Sequence, residues 1–453
     1  MAAQILAICI FVGMFLLIIL DKFERYYITL ASGALVLALV FGVCMHSMSA
    51  IWGTLNLPSI FTSGFWYGAS EEGNSGINWS TIFFIAGMMI MVEGLGKAGF
   101  FRWLCLTLAK LVRYRIVPLL VCFMVLSAVL SMFIDSITVV LFLATVTLEL
   151  AQTMKFNPIP MILSEIFCAN LGGAATMCGD PPNIIVGTSL GYTFFDFISN
   201  TGVAVAICFV LVLIYFVLCF RKRLLRDEKN SGAAVCPQPG TAITNRPAFL
   251  LSAGVFLLAV ILLATHAQTK LTVACIGVIV AALSLVVIGC TSGGKAVLEI
   301  IKGVDYKTLL FFIGLFVSVA GLKETGVLDV IARFITTVSG GNAAIIVVII
   351  LWISAVTSAF VDNIPFAATM IPVVRSIAAA SGIDMGVLAW ALSLGTDLGG
   401  NATPIGASAN VVGTSVAAKG GYPISWGVYC KYCVGATVLV IAVSMGYLFL
   451  RYL

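Results

Sequence analysis

Residues 170 to 187, NLGGAATMCGDPPNIIVG, return as residues 397 to 414, DLGGNATPIGASANVVGT, a shift of 227 positions (397 less 170). Leu171/Leu398, Gly172/Gly399, Gly173/Gly400, Thr176/Thr403, Gly179/Gly406 and Asn183/Asn410 are identical across it. The same shift pairs Ser131-Met-Phe-Ile-Asp135 with Ser358-Ala-Phe-Val-Asp362, and Thr81, Gly87, Gly94, Leu95 and Gly99 with Thr308, Gly314, Gly321, Leu322 and Gly326. The chain is a duplication. Each copy interrupts strongly apolar sequence with Gly, Pro, Asp and Asn, which a bilayer tolerates only where backbone is buried in protein or lines a wet cavity. Breaks at matching places in two halves point to the binding site of a transporter.

With 61% hydrophobic residues, 9% charged and a mean hydropathy of +1.14, the chain lies far from the soluble norm of roughly 25% charged residues. It reads as an all-α, polytopic membrane protein. Met1 to Leu20 has no basic residue before it and no cleavage site after it, so a retained span is expected rather than a signal peptide. The 13 cysteines are scattered through apolar segments as small hydrophobes, and no disulfide framework is implied. Cys430 and Cys433 form a lone CxxC, too few ligands for a metal site. The formal charge of +5 belongs to loops and gives nucleic-acid binding no support.

Candidate spans are 2–20, 28–45, 79–96, 158–190 and 201–220, then 247–265, 271–289, 308–322, 385–415 and 428–450. Between the third and fourth span of each half lies a further apolar stretch, 116–152 or 343–377, split near its middle by Asp135 or Asp362. Each is too long for one crossing of ~20 residues and reads as a re-entrant hairpin. Arg113, Arg115 and Lys155 flank the first at both ends, so both ends belong to one basic face. Five crossings plus a hairpin give each half odd parity, which inverts the second copy relative to the first. Residues 1–220 and 247–453 are then the inverted repeats and 221–246 the linker between them. Placing Arg221-Lys-Arg223…Arg226 in the cytoplasm leaves five of the 24 Lys and Arg outside (Lys270, Lys323, Arg333, Arg375, Arg451). Both termini then face out of a plasma (inner) membrane. Residues 46–78, with Glu71 and Glu72 and no Lys or Arg, fit an external loop, with Trp52, Trp66 and Trp79 at the interface. Phe101 to Arg113 mixes apolar and basic positions at helical spacing, as an interfacial helix would.

Four acids fall at the breaks: Asp135 and Asp362 at the hairpin tips, Asp180 and Asp397 in the interrupted helices. Charge at membrane depth is costly, so such residues face a bundle interior and mark ion paths or proton relays. Asp135 and Asp362 also stand where helix N-caps would, and capping is compatible with ion coordination. Carbonyls freed at the breaks, the carboxylates and the amide oxygens of Asn183, Asn363 and Asn410 suit a hard cation, with Asp135, Asn183, Asp362 and Asn410 the candidate Na⁺ ligands; half-helix N-termini attract an anion. Thr176 and Thr403 complete the repeated frame. Glu93 and Glu165 are further intramembrane acids, Glu93 within reach of Lys97.

The runs Ser131-MFIDSIT-Val139, Ser358-AFVDNIP-Phe366, Asn170-LGGAATMCGDPP-Asn183 and Gly399-GNATPIGASA-Asn410 resemble the ArsB/NhaD, P protein-like permease branch of the ion transporter superfamily, distantly related to sodium/dicarboxylate symporters. The resemblance covers the chain from about Thr81 to its C-terminus. It implies a homodimer with a scaffold domain and a transport domain of hairpins and broken helices that shifts like an elevator. Carried over, one ion site uses Asp135, Ser136, Thr138, Asp180 and Asn183, and its counterpart Asp362, Asn363, Asp397, Ser408 and Asn410. Where the dicarboxylate symporters carry Ser-Asn-Thr at the tips, this chain has Asp135-Ser-Ile-Thr138 and Asp362-Asn-Ile-Pro365.

The function expected is secondary active transport with Na⁺ or H⁺ as coupling ion and no cofactor, read first as Na⁺/H⁺ antiport. The alternatives are proton-coupled efflux of arsenite or a similar metalloid acid, and Na⁺-coupled anion or dicarboxylate transport. No GxxxxGK[ST] sequence for ATP occurs. An intramembrane aspartyl protease using Asp135 and Asp180 explains neither the sequence context of those acids nor the duplication, and no enzyme is expected. A passive channel lined by the same acids is separated from a transporter by whether one gradient drives another.

Overall fold

A computed structural model describes residues 1–20, 22–68, 76–230 and 237–453, so Glu71, Glu72 and Ser231-Gly lie outside the described residues. The first half contains α1 (Ala2–Leu20), α2 (Arg25–Leu35, wound on as a π-helical segment Val36–Cys44), α3 (Trp79–Lys97), α4 (Phe100–Leu111) and α5 (Ile116–Ser131). It continues with α6 (Ser136–Met154), α7 (Ile159–Gly173), α8 (Pro181–Leu190) and α9 (Val203–Asn230). The second half contains α10 (Arg246–Thr269), α11 (Val273–Ser292), α12 (Tyr306–Glu324), α13 (Val327–Val338) and α14 (Ala343–Ser358). After these come α15 (Asn363–Ser381), α16 (Met385–Gly399), α17 (Ser408–Lys419) and α18 (Trp426–Tyr452). Among the described residues the protein is all-helical, with one isolated bridge, Tyr67 to Leu271.

The duplication is written into the helix starts. Helices α3, α4, α5, α6 and α8 begin at 79, 100, 116, 136 and 181, and α12, α13, α14, α15 and α17 at 306, 327, 343, 363 and 408. Their caps repeat too: Asn78 accepts from the Thr81 amide and Asp305 from that of Thr308, while Gly99 and Gly326 enter α4 and α13 in the left-handed region (φ 86° and 75°). Only a residue without Cβ adopts that conformation freely.

Among the described residues ten helices are long and apolar enough to cross a membrane. Two of them, α6 and α15, are second arms of the expected hairpins; the spans 158–190 and 385–415, expected to be broken, are each two shorter helices, α7 with α8 and α16 with α17. The glycine-rich breaks stop each helix short of a bilayer's ~30 Å. The basic start of the linker, Arg221 to Arg226, continues α9.

Burial sorts the helices. Of α1 only Ala7, Met14 and Ile18 are buried, leaving a wide apolar face that hydrocarbon, not water, would cover. By contrast every residue of α7 from Pro160 to Gly173, and of α16 from Gly386 to Gly399, is buried. The two broken helices therefore form the centre, with α7 against the first hairpin arm α5 and α16 against α14. A methyl on Gly172 or Gly399 would overlap the backbone of Ala128 or Ala355, again at the repeat shift. Around this centre α2 crosses α12 and α3 crosses α11, where Gly33 meets Gly314 and Gly87 meets Gly277. Such small-residue contacts let helix backbones approach in lipid.

Candidate functional site

Each hairpin turns in four residues, Met132–Asp135 and Ala359–Asp362, and its tip meets the break of the following helix. The hydroxyls of Thr176 and Thr403 donate to the carbonyls of Met132 and Ala359, tying tip to break in both halves. Within each break one asparagine clasps two loose carbonyls. Asn183 Nδ2 donates to Gly173 (3.1 Å) and Thr176 (3.0 Å); Asn410 Nδ2 donates to Gly400 (2.8 Å) and Thr403 (2.8 Å). Buried carbonyls stripped of their helical donors are costly unless paired, which is what these amides do.

The asparagine oxygens are also engaged, and across the two halves. Ser393 donates to Asn183 Oδ1, while Asn170 Nδ2 donates to Asn410 Oδ1 (2.8 Å) and Asn401 Oδ1 (2.9 Å). Asn170, Ser393 and Asn401 escaped the sequence reading. Asn170 had a signal: at the 227 shift it stands opposite Asp397.

The acids split into two kinds. Asp135 and Asp362 cap α6 and α15, accepting from the amides of Thr138 (3.0 Å) and Ile364 (3.3 Å). Thr138 Oγ1 adds a bond to Asp135 Oδ2 (2.7 Å), and Ser408 Oγ donates to Asp362 Oδ2 (2.7 Å). The other pair, almost wholly shut from solvent, is Asp180, just ahead of α8, and Asp397, inside the last turn of α16 rather than in the break itself. Ser136 Oγ donates to Asp180 Oδ1 (2.6 Å) and Asn363 Nδ2 lies 3.5 Å from Asp397 Oδ1. Oδ2 of both acids has no hydrogen-bond partner among the described residues. A buried carboxylate oxygen without a donor calls for a proton or a cation. All twelve sequence-derived residues thus gather at two tip-and-break junctions, with Asp180 in electrostatic range of Asp135, Asp362 and Asp397.

One basic residue joins them from outside the motifs. Arg25, at the start of α2, places Nη1 2.8 Å from Asp362 Oδ2. No local pattern announces it, since 337 residues separate the pair. Of the other acids, Glu93 lies 3.9 Å from Lys97, which also reaches Glu299 (3.3 Å). Glu165 is fully buried, accepts from Thr147 Oγ1 (2.5 Å) on one oxygen and has no partner among the described residues on the other.

Beside the junctions lies a cavity of ≈ 600 Å³, walled by α3, α8, α12 and α15 and by residues of 56–80 and 266–273. Lys270, Lys323 and Arg375 line it, with Asn78, Thr188 and Tyr192, and no Asp or Glu among the described residues does. His266 is neutral at Nε2, which accepts from the Phe194 amide (3.0 Å). Pro372, inside α15, has no N–H for the carbonyl of Ala368, and both residues line the cavity.

Broken helices meeting hairpin tips at membrane depth, beside a charged cavity, define a secondary transporter. The comparisons carry the assignment further. The profile described as citrate transporter (CitMHS) matches residues 15–395, and the chain belongs to that family. An uncharacterized transporter of Mycobacterium tuberculosis is 32% identical over 451 residues, 99% of each chain. The P protein of Mus musculus is 28% identical over 450 residues, covering 83% of this chain and 54% of its own. Among solved structures, the YdaH transporter of Alcanivorax borkumensis superposes with a TM-score of 0.54 at 16% identity, covering 81% of this chain and 84% of its own. MtrF of Neisseria gonorrhoeae, described as illuminating a class of antimetabolite efflux pumps, gives 0.56 at 12%, covering 90% and 86%. These two likenesses concern the fold.

Proposed function

We propose that this protein moves a small anion across the membrane, driven by a cation or proton taken up at the tip-and-break carboxylates. The observation that carries the anion is the cavity: three cationic side chains, Lys270, Lys323 and Arg375, line a space of ≈ 600 Å³, ample for a small polycarboxylate, into which no described Asp or Glu reaches, although Glu324 and Asp329 lie in electrostatic range of Lys323. Membership of a family described as citrate transporters supports the same cargo class. The two unpartnered oxygens of Asp180 and Asp397 support cation or proton coupling. They also favour a second reading, Na⁺/H⁺ antiport, in which the cationic cavity would have no cargo to hold.

In the proposed cycle the repeats are inverted, so the cavity opens on the outer face and a matching opening forms on the inner face once the hairpins and broken helices shift against α2, α3, α11 and α12. The odd crossing parity supports this, as does the reciprocal packing of α2 on α12 and α3 on α11. A homodimer built on the scaffold helices belongs to the same reading.

The test is flux in proteoliposomes. Uptake of labelled citrate under an imposed Na⁺ or H⁺ gradient, with K323Q and R375Q each raising its KM about tenfold, would establish anion cargo. Na⁺-driven proton movement untouched by any anion or by those substitutions would establish antiport instead. Proton movement driven by arsenite alone would establish metalloid efflux.

A further inference from the structure

The two hairpin tips occupy matching positions but are not equally satisfied. Asp135 takes two bonds from its own helix, from the amide and hydroxyl of Thr138. The counterpart of Thr138 is Pro365, which has neither group, and the counterpart of Ser408 is Pro181, which has no hydroxyl. Asp362 keeps one long cap bond to its own helix, the Ile364 amide to Oδ1 (3.3 Å), and turns Oδ2 to other elements: that oxygen receives Ser408 from α17 and Arg25 from α2. Among the described residues this is the one ion pair made by the four acids, and Asp180 also lies in electrostatic range of Asp362. The Asp362 side chain is 5% exposed and that of Arg25 33%. The carboxylate is thus fixed inside, whereas the guanidinium reaches it from a wetter edge on a helix that packs on α1 and α12.

We propose that Arg25 is a tethered cation filling the second tip site, and that the mobile cation or proton displaces it to reach Asp362 and Ser408. The proposal rests on reading the tip carboxylates as ion ligands. Two positive charges cannot share one buried carboxylate oxygen without strong repulsion, so loading of Asp362 and its pairing with Arg25 exclude each other. Because the pair joins α2 to a hairpin tip, loading also frees the tip from α2. Cation uptake and movement are thereby linked through one contact.

The test compares wild type with R25Q, R25K, D362N and R25Q/D362N, purified in detergent, by thermal stabilisation with Na⁺ or Li⁺ and by titration with pH. Removal of the competing charge predicts about a tenfold lower half-saturating cation concentration in R25Q, or a one-unit upward shift of the pH midpoint if the proton is the ligand. R25K keeps the charge and stays near wild type. R25Q/D362N shows no gain over D362N. R25M replaces R25Q if that variant does not fold. A cation response that is intact in wild type but unchanged or weaker in R25Q overturns the tethered cation and makes Arg25 a structural brace. Absence of any response to Na⁺, Li⁺ or pH in every variant overturns ion coupling itself, and the proposal with it.

Discussion

Ser136 Oγ lies 2.6 Å from Asp180 Oδ1, joining the first hairpin to the break of the following helix through a side chain whose second oxygen has no partner. The bond aims that oxygen. Asp180→Asn keeps the shape and removes the charge, so it should abolish cation-coupled flux while leaving yield and elution profile close to wild type. Ser136→Ala should weaken apparent cation affinity about tenfold, the scale of one lost hydrogen bond to a charged group. Wild-type coupling in Asp180→Asn would remove this acid from the ion path.

A proton and a cation compete for the same carboxylate, and the sign follows directly. As pH falls the acid is more often protonated, and the cation must displace a proton to bind. Apparent Na⁺ affinity should therefore weaken on going from about pH 9 to about pH 5, and Asp180→Asn or Asp397→Asn should flatten that dependence. Flux against Na⁺ concentration at several pH values measures it, and a pH-independent affinity would contradict shared ligands.

Asn183 and Asn410 each pair two buried carbonyls at a break. Alanine at either position leaves both unpaired, at about 1–3 kcal/mol each. Thermal unfolding of the detergent-solubilised protein should shift down by several degrees for each variant, even with no ion present. An unchanged transition would mean that water takes over the role of the amide.

Gly87 and Gly314 face backbone, of Gly277 and of Thr29 and Leu30 respectively. Valine at either leaves no room for the crossing helix, and overpacking of this kind costs about 1–3 kcal/mol or more. Fluorescence-detected size exclusion should show little monodisperse protein for Gly87→Val or Gly314→Val. Gly254, with open space around it, should accept alanine without loss.

Inversion of the repeats is checked by reporters. A fusion placed after residue 230 should report the cytoplasm and one after Leu453 the outside. Both on one side would give the halves even parity and make them parallel.

How much of this was readable beforehand depended on the range of each contact. The duplication, the helix starts at 79 and 116, the interruption of 158–190 and the tip caps Asp135 and Asp362 follow from apolar runs, Gly and Pro breaks and cap residues, all local along the chain. Local order is set by neighbours within a turn or two, so it is legible in one dimension. The break between α16 and α17 was legible, but the place of Asp397 within the last turn of α16 was not, because a glycine run does not say at which residue helix hydrogen bonding stops. Asn170 was visible only as the repeat partner of Asp397.

Arg25, the cationic cavity and the unlike state of the two tips came from tertiary structure alone. Arg25 meets Asp362 across 337 residues, and Lys270, Lys323 and Arg375 converge from α12, α15 and the turn between α10 and α11. Each lies in its own segment without a motif. Their charges acquire meaning only when packing brings them to one carboxylate or one cavity, since Coulomb energy depends on distance in space and on burial, neither of which sequence separation contains.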